Sequence, residues 1–299
     1  MVRPSAGRGG SGSREVDSAE VTAFRLSTGT RVEVMRARYT RQSFAKHSHE
    51  YFTVGLMLSG TGSLWWRGGV QVLRPGEVVI IPPGEVHTGG LGEADQVLSY
   101  MAAHIPDDAV ALYAAAESAG ATALRNGGPA IICDPRLSAE LGRLAHLTEG
   151  RQTFDAREAE DAVTGAIGCV ADWLSARPAN PETLRSLAPQ PPFVSRARQI
   201  MDDCYADHAR TSLAALAREA GVTPFHLVRE FTRSTGLSPH RYLVQRRVGE
   251  ARELLARGVA PSLAAAMTGF VDQSHLTTQF RRYVGTTPAS YRRGLLRRP

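Results

Sequence analysis

The chain has 299 residues, 42% of them hydrophobic, which is enough for two domains that each bury a core. No apolar run approaches the ~20 residues that a membrane-spanning helix requires. The opening MVRPSAGRGGSGSRE lacks the apolar segment of a secretory signal. The three cysteines have neither disulfide nor metal-ligand spacing, which favours a reducing compartment. These features predict a cytoplasmic protein with no membrane partner.

The charge is distributed unevenly along the chain. Residues 194–299 contain 17 Arg and no Lys against 8 Asp and Glu, a balance of +9, whereas residues 1–193 have a balance of −3. A basic C-terminal third on a mildly acidic remainder indicates a polyanionic partner such as nucleic acid. A merely solvated basic surface is the alternative.

The N-terminal part is predicted to be a tail followed by strands. Residues 1–19 are rich in Gly, Ser and Arg, which is typical of disorder. Residues 20–106 contain apolar and β-branched runs such as VEVMRARY and YFTVGLMLSG, separated by Gly and Pro at intervals of roughly ten residues. This spacing is typical of a small β-sandwich or barrel.

Residues 107–177 have a helical period, because Leu137, Leu141, Leu144 and Leu147 recur three or four positions apart. These helices either pair two subunits or cover the barrel. Residues 178–193 follow with several prolines and little periodicity, which predicts an interdomain linker.

Residues 194–293 are predicted to be helical throughout and contain one phrase twice. HLVREFTRSTGLSPHRY begins at His226, and HLTTQFRRYVGTTPASY begins at His275. Each copy ends in a glycine turn and a Ser/Thr-Pro pair, the signature of a helix stop followed by a new N-cap. Each copy therefore predicts a helix-turn-helix, a motif whose second helix enters the DNA major groove.

The two predicted recognition helices divide into a buried face and a DNA face. The buried face is expected to pack each recognition helix on the preceding helix of its motif. It contains Leu227 and Phe231 in the first copy and Leu276 in the second. Arg can bond guanine O6 and N7, and Gln can do the same for adenine N6 and N7. The predicted DNA-binding residues are Phe225, Val228, Arg229 and Arg233 in the first copy, and Gln273, Ser274, Thr277, Thr278 and Arg281 in the second.

The helix between the two copies is predicted to run from Pro239 to about Ala256, which spans about 27 Å at 1.5 Å per residue. One turn of DNA is about 34–36 Å long. A rigid helix of this length can place two recognition helices in successive major grooves on one face of a duplex. We expect double-stranded DNA to be the partner of this domain.

Residues ~194–292 resemble the DNA-binding domain of AraC/XylS-family transcription regulators. The resemblance lies in SLAALAREAGVTPFHLVREFTRSTGLSPHRYLVQRRVGEARELL and TGFVDQSHLTTQFRRYVGTTPASYR. It implies that Arg229, Gln273 and Ser274 contact bases. The family usually has a second Arg where Thr278 stands, so this resemblance implies a weaker or different contact by the second helix.

The segments HSHEYFTVGLMLSG, from His47, and GEVVIIPPGEVH, ending at His87, resemble the two cupin motifs. Thr53 stands where a metal-binding cupin has Glu. His47 and His49 are two residues apart, which on a strand places both side chains on one face. Their cluster either lines a pocket for an organic effector, binds a metal, or is structural. We expect an effector pocket formed by His47, His49, Tyr51 and His87, and no bound metal.

The predicted fold class is an α+β multidomain protein. A cupin-like β-barrel plus helices is followed by an all-α domain with two helix-turn-helix motifs joined by a long helix. The predicted function is that of a sequence-specific transcription regulator controlled by a small-molecule effector, without catalytic residues or a cofactor. The resemblance also implies a homodimer and makes RNA polymerase a further candidate partner. Activation and repression both remain open. The alternatives are a metal-dependent cupin oxygenase or isomerase with a DNA-binding appendage, and a DNA-organising protein indifferent to sequence.

Overall fold

The computed structural model of the chain describes residues 17–93, 96–116, 128–149, 155–176 and 190–296. Residues 1–16 of the predicted tail and residues 178–189 of the predicted linker lie outside these residues. The described ends differ from the prediction, because Ser18 begins a strand and Pro192 begins a helix. The described chain consists of an N-terminal sheet-rich domain and a C-terminal helical domain. No described helix combines the length and the apolar composition needed to cross a membrane.

The strands of the first domain form two antiparallel sheets. In chain order they are β1 (Ser18–Arg25), β2 (Arg31–Tyr39), β3 (Tyr51–Ser59), β4 (Gly62–Trp66), β5 (Gly69–Leu73), β6 (Val78–Ile81), β7 (His87–Leu91), β8 (Leu98–Pro106) and β9 (Ala130–Ile132). The larger sheet has the order β1-β2-β8-β3-β6-β9, and the smaller sheet has the order β5-β4-β7. We refer to the two sheets together as the barrel.

The central strands are apolar on both faces because both faces are covered. All four residues of β6, VVII, are buried, which is what a strand between a packed interior and a layer of helices requires. Sharp turns separate the strands where glycine was expected. The β4–β5 turn has Arg67 at φ 46° and Gly68 at φ 85°, positive values that two-residue hairpin loops favour.

Three helices lie after β8: α1 (Asp107–Ala116), α2 (Pro135–Leu147) and α3 (Ala156–Ser175). The leucines of the predicted stripe, Leu137, Leu141 and Leu144, are fully buried in a cluster that also contains sheet residues such as Phe52 and Ile105. The apolar stripe of α2 therefore covers the barrel. Strand β9 lies within the segment that the sequence predicted as helical, and it extends the sheet by pairing with β6.

The C-terminal domain is helical throughout its described length. Its helices are α4 (Pro192–Asp203), α5 (Leu213–Glu219), α6 (Pro224–Thr235), α7 (Pro239–Ala256), α8 (Pro261–Met267), α9 (Gln273–Val284) and α10 (Pro288–Leu295). The predicted Ser/Thr-Pro pairs are N-caps, since the Thr223, Ser238 and Thr287 side chains each accept a hydrogen bond from the amide three residues on. Helix α7 has the predicted bounds and joins the two helix-turn-helix units, α5–α6 and α8–α9.

The two domains share an apolar cluster. It contains barrel residues such as Met57 and Leu98 together with Val244 of α7 and Leu276 of α9. Polar contacts reinforce the junction, because the Tyr39 hydroxyl donates to the Gly285 carbonyl oxygen at 2.8 Å. The helical domain is therefore packed directly on the barrel.

Candidate functional site

Helix α6 is the first predicted recognition helix, and its predicted DNA face is largely exposed to solvent. Its buried residues are Leu227 and Phe231, which pack in the same cluster as Leu216 of α5. Of the predicted contact residues Phe225 is 79% exposed, Arg229 and Arg233 are exposed, and Val228 is half-buried. The helix ends at Gly236, whose φ of 74° is the left-handed conformation that glycine favours.

Helix α9 is the second predicted recognition helix and has the same construction. The Asp272 carboxylate accepts a hydrogen bond from the His275 amide at 2.7 Å, and Leu276, Phe280 and Val284 are buried. The predicted contact residues Gln273, Ser274, Thr278 and Arg281 are exposed, and Thr277 is half-buried. The Thr278 hydroxyl donates to the Ser274 carbonyl at 3.0 Å, which leaves the hydroxyl oxygen free to act only as an acceptor toward a base.

The C-terminal end of α9 is held by the barrel. The last carbonyls of a helix have no partner within the helix, and here the segment before β3 supplies donors. The Gln42 side chain donates to the Arg281 carbonyl at 2.9 Å, and the Ala45 amide donates to the Arg282 carbonyl at 2.9 Å. The second recognition helix is thus anchored to the sheet-rich domain.

A cavity of 130 Å³ lies inside the barrel. Most of its wall is apolar, with Met35, Leu64 and Ile81 among the contributors. The four predicted pocket residues, His47, His49, Tyr51 and His87, all line it. Tyr283 and Val284 from the end of α9 complete the wall, so the cavity is shared between the two domains.

The three histidines are brought together by backbone contacts rather than by a strand. His47 and His49 lie in the segment before β3, not on a strand as the sequence predicted, and His47 forms an isolated bridge with His87. One ring nitrogen of each lies within 4.8 Å of the others. Each Nδ1 contacts a backbone carbonyl oxygen, that of Ala45, Tyr51 or Glu85, at 2.7, 2.7 and 2.9 Å respectively.

These contacts fix the chemistry of the rings. When Nδ1 carries the proton and donates it to a carbonyl oxygen, the neutral imidazole has its free lone pair on Nε2. Burial, reinforced by the neighbouring His87, lowers the pKa of His47 to about 3, and burial also lowers the pKa values of His49 and His87. The cluster is therefore uncharged near neutral pH and can accept hydrogen bonds from a ligand.

Three neutral imidazoles also match the ligand set of a Zn²⁺ or Fe²⁺ site with an open position. The Thr53 hydroxyl, at the position where the cupin resemblance expects Glu, lies 3.0 Å from His49 Nε2. A metal ion at His49 would have to displace this hydroxyl. The donor set is compatible with a metal but lacks a carboxylate.

Tyr51 connects the cavity to the helical domain. Its ring stacks on His49 with centroids 4.6 Å apart, and its hydroxyl accepts a hydrogen bond from Arg252 of α7. Arg252 also bonds the Glu33 carboxylate at 2.7 Å, and that carboxylate accepts from the Tyr291 hydroxyl at 2.7 Å. The result is a buried polar network that contains residues of β2, β3, α7 and α10.

The network holds Glu33 ionised. Burial favours the neutral acid, but the positive charges of Arg252 and Arg31 together with the Tyr291 hydrogen bond lower the pKa of Glu33 to about 2. Sequence reasoning missed Glu33, Arg252 and Tyr291. A single acid in the mostly apolar strand β2 was the one available signal, and nothing in the sequence linked it to an arginine 219 residues away.

Outside the cavity mouth, an open cleft of 840 Å³ separates parts of the two domains. Its walls carry both signs of charge, including Lys46 and Glu85 from the barrel and Arg198 and Arg246 from the helical domain. Lys46 lies over the Trp65 ring, with 4.6 Å from Nζ to the ring centroid. The cleft leads from solvent toward the histidine cluster, because His47 and His49 line both spaces.

Comparison with known proteins assigns both domains. Residues 30–167 match the AraC-like ligand binding domain, and residues 216–294 match a helix-turn-helix domain. The chain is 27% identical over 258 residues to the uncharacterized HTH-type transcriptional regulator YbfI of Bacillus subtilis, covering 86% of this chain and 90% of that protein. It is 36% identical over 109 residues to the HTH-type transcriptional regulator RipA of Corynebacterium glutamicum, which is 36% of this chain and 33% of that protein.

Among solved structures, the fold is similar to that of ToxT from Vibrio cholerae. The TM-score is 0.53 at 12% identity, and the match covers 89% of this chain and 99% of ToxT. A related ToxT structure holds an unsaturated fatty acid. The predicted fold class and the predicted family are confirmed by these matches. The chain belongs to the AraC family of transcription regulators, with an AraC-like ligand-binding domain followed by a DNA-binding helix-turn-helix domain.

Proposed function

We propose that this regulator binds two successive major grooves on one face of DNA, with α6 in one groove and α9 in the next. The observation that carries the proposal is the pair of similarly built recognition helices that flank α7, each with its apolar side buried and its polar side exposed. Helix α7 has 18 residues and thus spans about 27 Å. Arg229 is the proposed guanine contact and Gln273 the proposed adenine contact.

The test is DNA binding by the full chain to duplexes selected from a random-sequence library. We expect the logarithm of affinity to fall steeply and linearly with the logarithm of salt concentration. The selected duplex should bind at least ~10³-fold more tightly than random duplex. Arg229→Ala should cost about 1–3 kcal/mol and relax specificity at one position.

The matched control is Arg218→Ala, which removes the same charge from the exposed surface of α5. It should weaken binding to all duplexes by a similar factor, because a phosphate contact carries no base preference. A flat salt response, or unchanged single-base discrimination in Arg229→Ala, would remove the support for this DNA face.

The proposed effector is a small, uncharged molecule with one polar group. The 130 Å³ cavity is below the ~300 Å³ at which pockets for drug-sized ligands begin. Its wall is mainly apolar, and the polar part consists of neutral histidines. A compound that binds the folded chain at 100 times its Kd stabilises it by about 2.7 kcal/mol, so a thermal-shift screen on the full chain identifies it. His87→Ala should abolish the shift.

The proposed coupling route begins at the shared wall of the cavity. An effector in the cavity contacts Tyr283 and Val284 at the end of α9, and Tyr51 links the cavity to Arg252 of α7. A ligand that moves either contact changes the orientation of a recognition helix. Because coupling is reciprocal, DNA should change effector affinity by the same factor as the effector changes DNA affinity.

Four finer predictions remain part of the proposal. Homodimerisation through α2 and α3 would have to use their outer faces, because their apolar stripes are buried in the cluster that joins these helices to each other and to the barrel. RNA polymerase remains a candidate partner, and the cytoplasm is the location that DNA binding favours. We propose that the protein acts by binding rather than by catalysis, since the histidine cluster lacks a carboxylate partner.

A further inference from the structure

One acidic residue lies on the first recognition helix, and none lies on the second. Glu230 is the single Asp or Glu between Pro224 and Thr235, whereas Gln273–Val284 contains neither. The copies align with an offset of 49 residues, so the position equivalent to Glu230 is Gln279 and that equivalent to Arg229 is Thr278. The acid is therefore specific to the helix that carries the predicted guanine contact.

The Glu230 carboxylate holds both arginines of the predicted DNA face. One oxygen accepts from Arg229 Nε at 3.1 Å, and the other accepts from Arg233 Nε at 2.8 Å. The Glu230 side chain is 14% exposed, whereas the Arg229 and Arg233 side chains are 62% and 67% exposed. The carboxylate lies close to the helix surface, and the two guanidinium groups lie outside it.

The contacts with Glu230 use only Nε of each arginine, so the Nη atoms stay available for DNA. A guanidinium has five N–H donors, of which Nε supplies one and the two Nη atoms supply four. Because Glu230 occupies Nε of both side chains, the Nη atoms can still form the bidentate contact with guanine O6 and N7. A free arginine side chain has about 2 kcal/mol of rotamer entropy to lose on binding. Because the shared carboxylate already orders both side chains in the DNA-free protein, less of this entropy is lost when DNA binds.

A carboxylate on a DNA-binding face also repels phosphate, which lowers affinity for every sequence. Hydrogen bonds from Arg233 and then Arg229 lower the pKa of Glu230 below its usual value, so it is ionised under all ordinary binding conditions. The repulsion is independent of sequence, whereas the ordering favours duplexes with guanine in the right place. The ordering therefore raises the ratio of specific to random binding, whereas the repulsion lowers both affinities by the same factor and leaves that ratio unchanged.

We propose that Glu230 is a positioning residue for sequence discrimination, which aligns Arg229 and Arg233 with base edges, while its charge weakens binding to every duplex alike. This inference rests on the proposed contact of α6 with the major groove. It implies that the half-site bound by α6 is strictly defined. The half-site bound by α9, which has no such acid and has Thr278 in place of an arginine, tolerates more base changes.

The test uses the full chain with Glu230→Gln, which has the same shape but no charge. We expect random duplex to bind a few-fold more tightly, because one repulsive charge is removed. The affinity ratio between the selected duplex and its single-base variants in the α6 half-site should fall by about tenfold, a large part of the 1–3 kcal/mol that one base contact carries. Single-base variants in the α9 half-site should show no change in ratio.

Glu219→Gln is the matched control, because it removes an exposed acid from the neighbouring helix α5. It should change the affinity of all duplexes by one common factor and leave the ratio intact. In an Arg229→Ala background, Glu230→Gln should no longer affect discrimination at the base that Arg229 contacts, because the residues act as one unit. Circular dichroism and Tm measurements verify that each variant is folded.

The outcomes separate the two levels of the proposal. If Arg229→Ala lowers single-base discrimination but Glu230→Gln changes affinity exactly as Glu219→Gln does, the positioning role is overturned and the DNA face stands. If Arg229→Ala leaves discrimination unchanged, the proposed DNA face itself is wrong. Loss of discrimination in Glu230→Gln, with random binding maintained or increased, supports the positioning role.

Discussion

Glu33 and Arg252 form an oppositely charged pair that is buried where the barrel meets α7, with side chains 5% and 13% exposed. Removing one partner of a buried pair costs about 3–5 kcal/mol when the other charge is left uncompensated. Arg31 lies 2.9 Å from Glu33 and remains as its second cation, so Arg252→Met should lower the free energy of unfolding by about 3 kcal/mol, the lower end of this range, in urea denaturation. Adding Glu33→Gln, which removes the buried charge that has lost Arg252 but keeps an acceptor for Tyr291, should recover part of the loss. Equal instability of the single and double variants would contradict the pairing.

The buried histidines predict a pH dependence of stability. Burial lowers the pKa values of both His47 and His104 to about 3, whereas histidines in the unfolded chain take up a proton near pH 6.5. Between these pH values the unfolded chain binds more protons, so the free energy of unfolding falls as the pH is lowered. Each histidine should contribute a slope of about 1.4 kcal/mol per pH unit.

Urea denaturation between pH 6 and pH 4 measures this slope. His47→Asn, which retains a donor for the Ala45 carbonyl, should remove the contribution of one histidine. His146→Asn is the control, because the His146 side chain is 87% exposed. A slope that is the same in the wild-type chain and in His47→Asn would show that His47 is not buried as a neutral ring.

Residues whose neighbours are close in the sequence could be predicted, and residues with distant partners could not. The buried and exposed positions of α6 follow from the helical period, so the assignment of Leu227 and Phe231 to the core needed no structure. The contacts of Arg252 with Glu33 and Tyr51 join positions more than 200 residues apart. Each of these residues is ordinary in its local pattern, and only the docking of the two domains makes them a network.

At the scale of elements, the caps were the most predictable features. A Ser or Thr before Pro supplies the N-cap oxygen and the fixed φ of the first helical residue, and the structure has this arrangement at Thr223, Ser238 and Thr287. Strand β9 was missed because AII is too short to show a period. Leu213 lies three residues before the buried Leu216, which is the spacing of an apolar stripe, but it is the first residue of α5 and is 41% exposed.

The docking of α9 on the barrel can be tested at Gly285, which has φ +85°. A Cβ at this position would collide with the Tyr39 hydroxyl and lie 3.0 Å from the Phe44 ring. Gly285→Ala should therefore lower the free energy of unfolding by more than the roughly 1–2 kcal/mol that alanine costs in this conformation. It should also increase hydrogen exchange in residues 39–45.

Gly221→Ala is the matched control for this prediction. Gly221 also has a positive φ, +67°, but a Cβ there would meet nothing within 4 Å. Its loss of stability should be limited to the backbone cost, without increased exchange in the barrel segment. Equal effects of the two variants would show that the end of α9 is not docked on the barrel.

At the scale of the whole molecule, one body contains the cavity, the cleft and the two predicted recognition helices. The cavity wall is completed by α9, and the Arg252 network connects the barrel to α7, so neither recognition helix is independent of the ligand-binding domain. The sequence predicted both domains and their order. It could not predict their packing, because apolar residues such as Val244 and Val284 are equally compatible with a core inside the helical domain.

The central claim is that one chain places α6 and α9 in successive major grooves on the same face of DNA. Hydroxyl-radical footprinting of the full chain on its selected duplex tests this most directly. We expect two protected regions separated by about 10 base pairs, one helical turn, with Arg229→Ala weakening one region and Gln273→Ala the other. A single protected region, or two regions on opposite faces of the duplex, would contradict the claim.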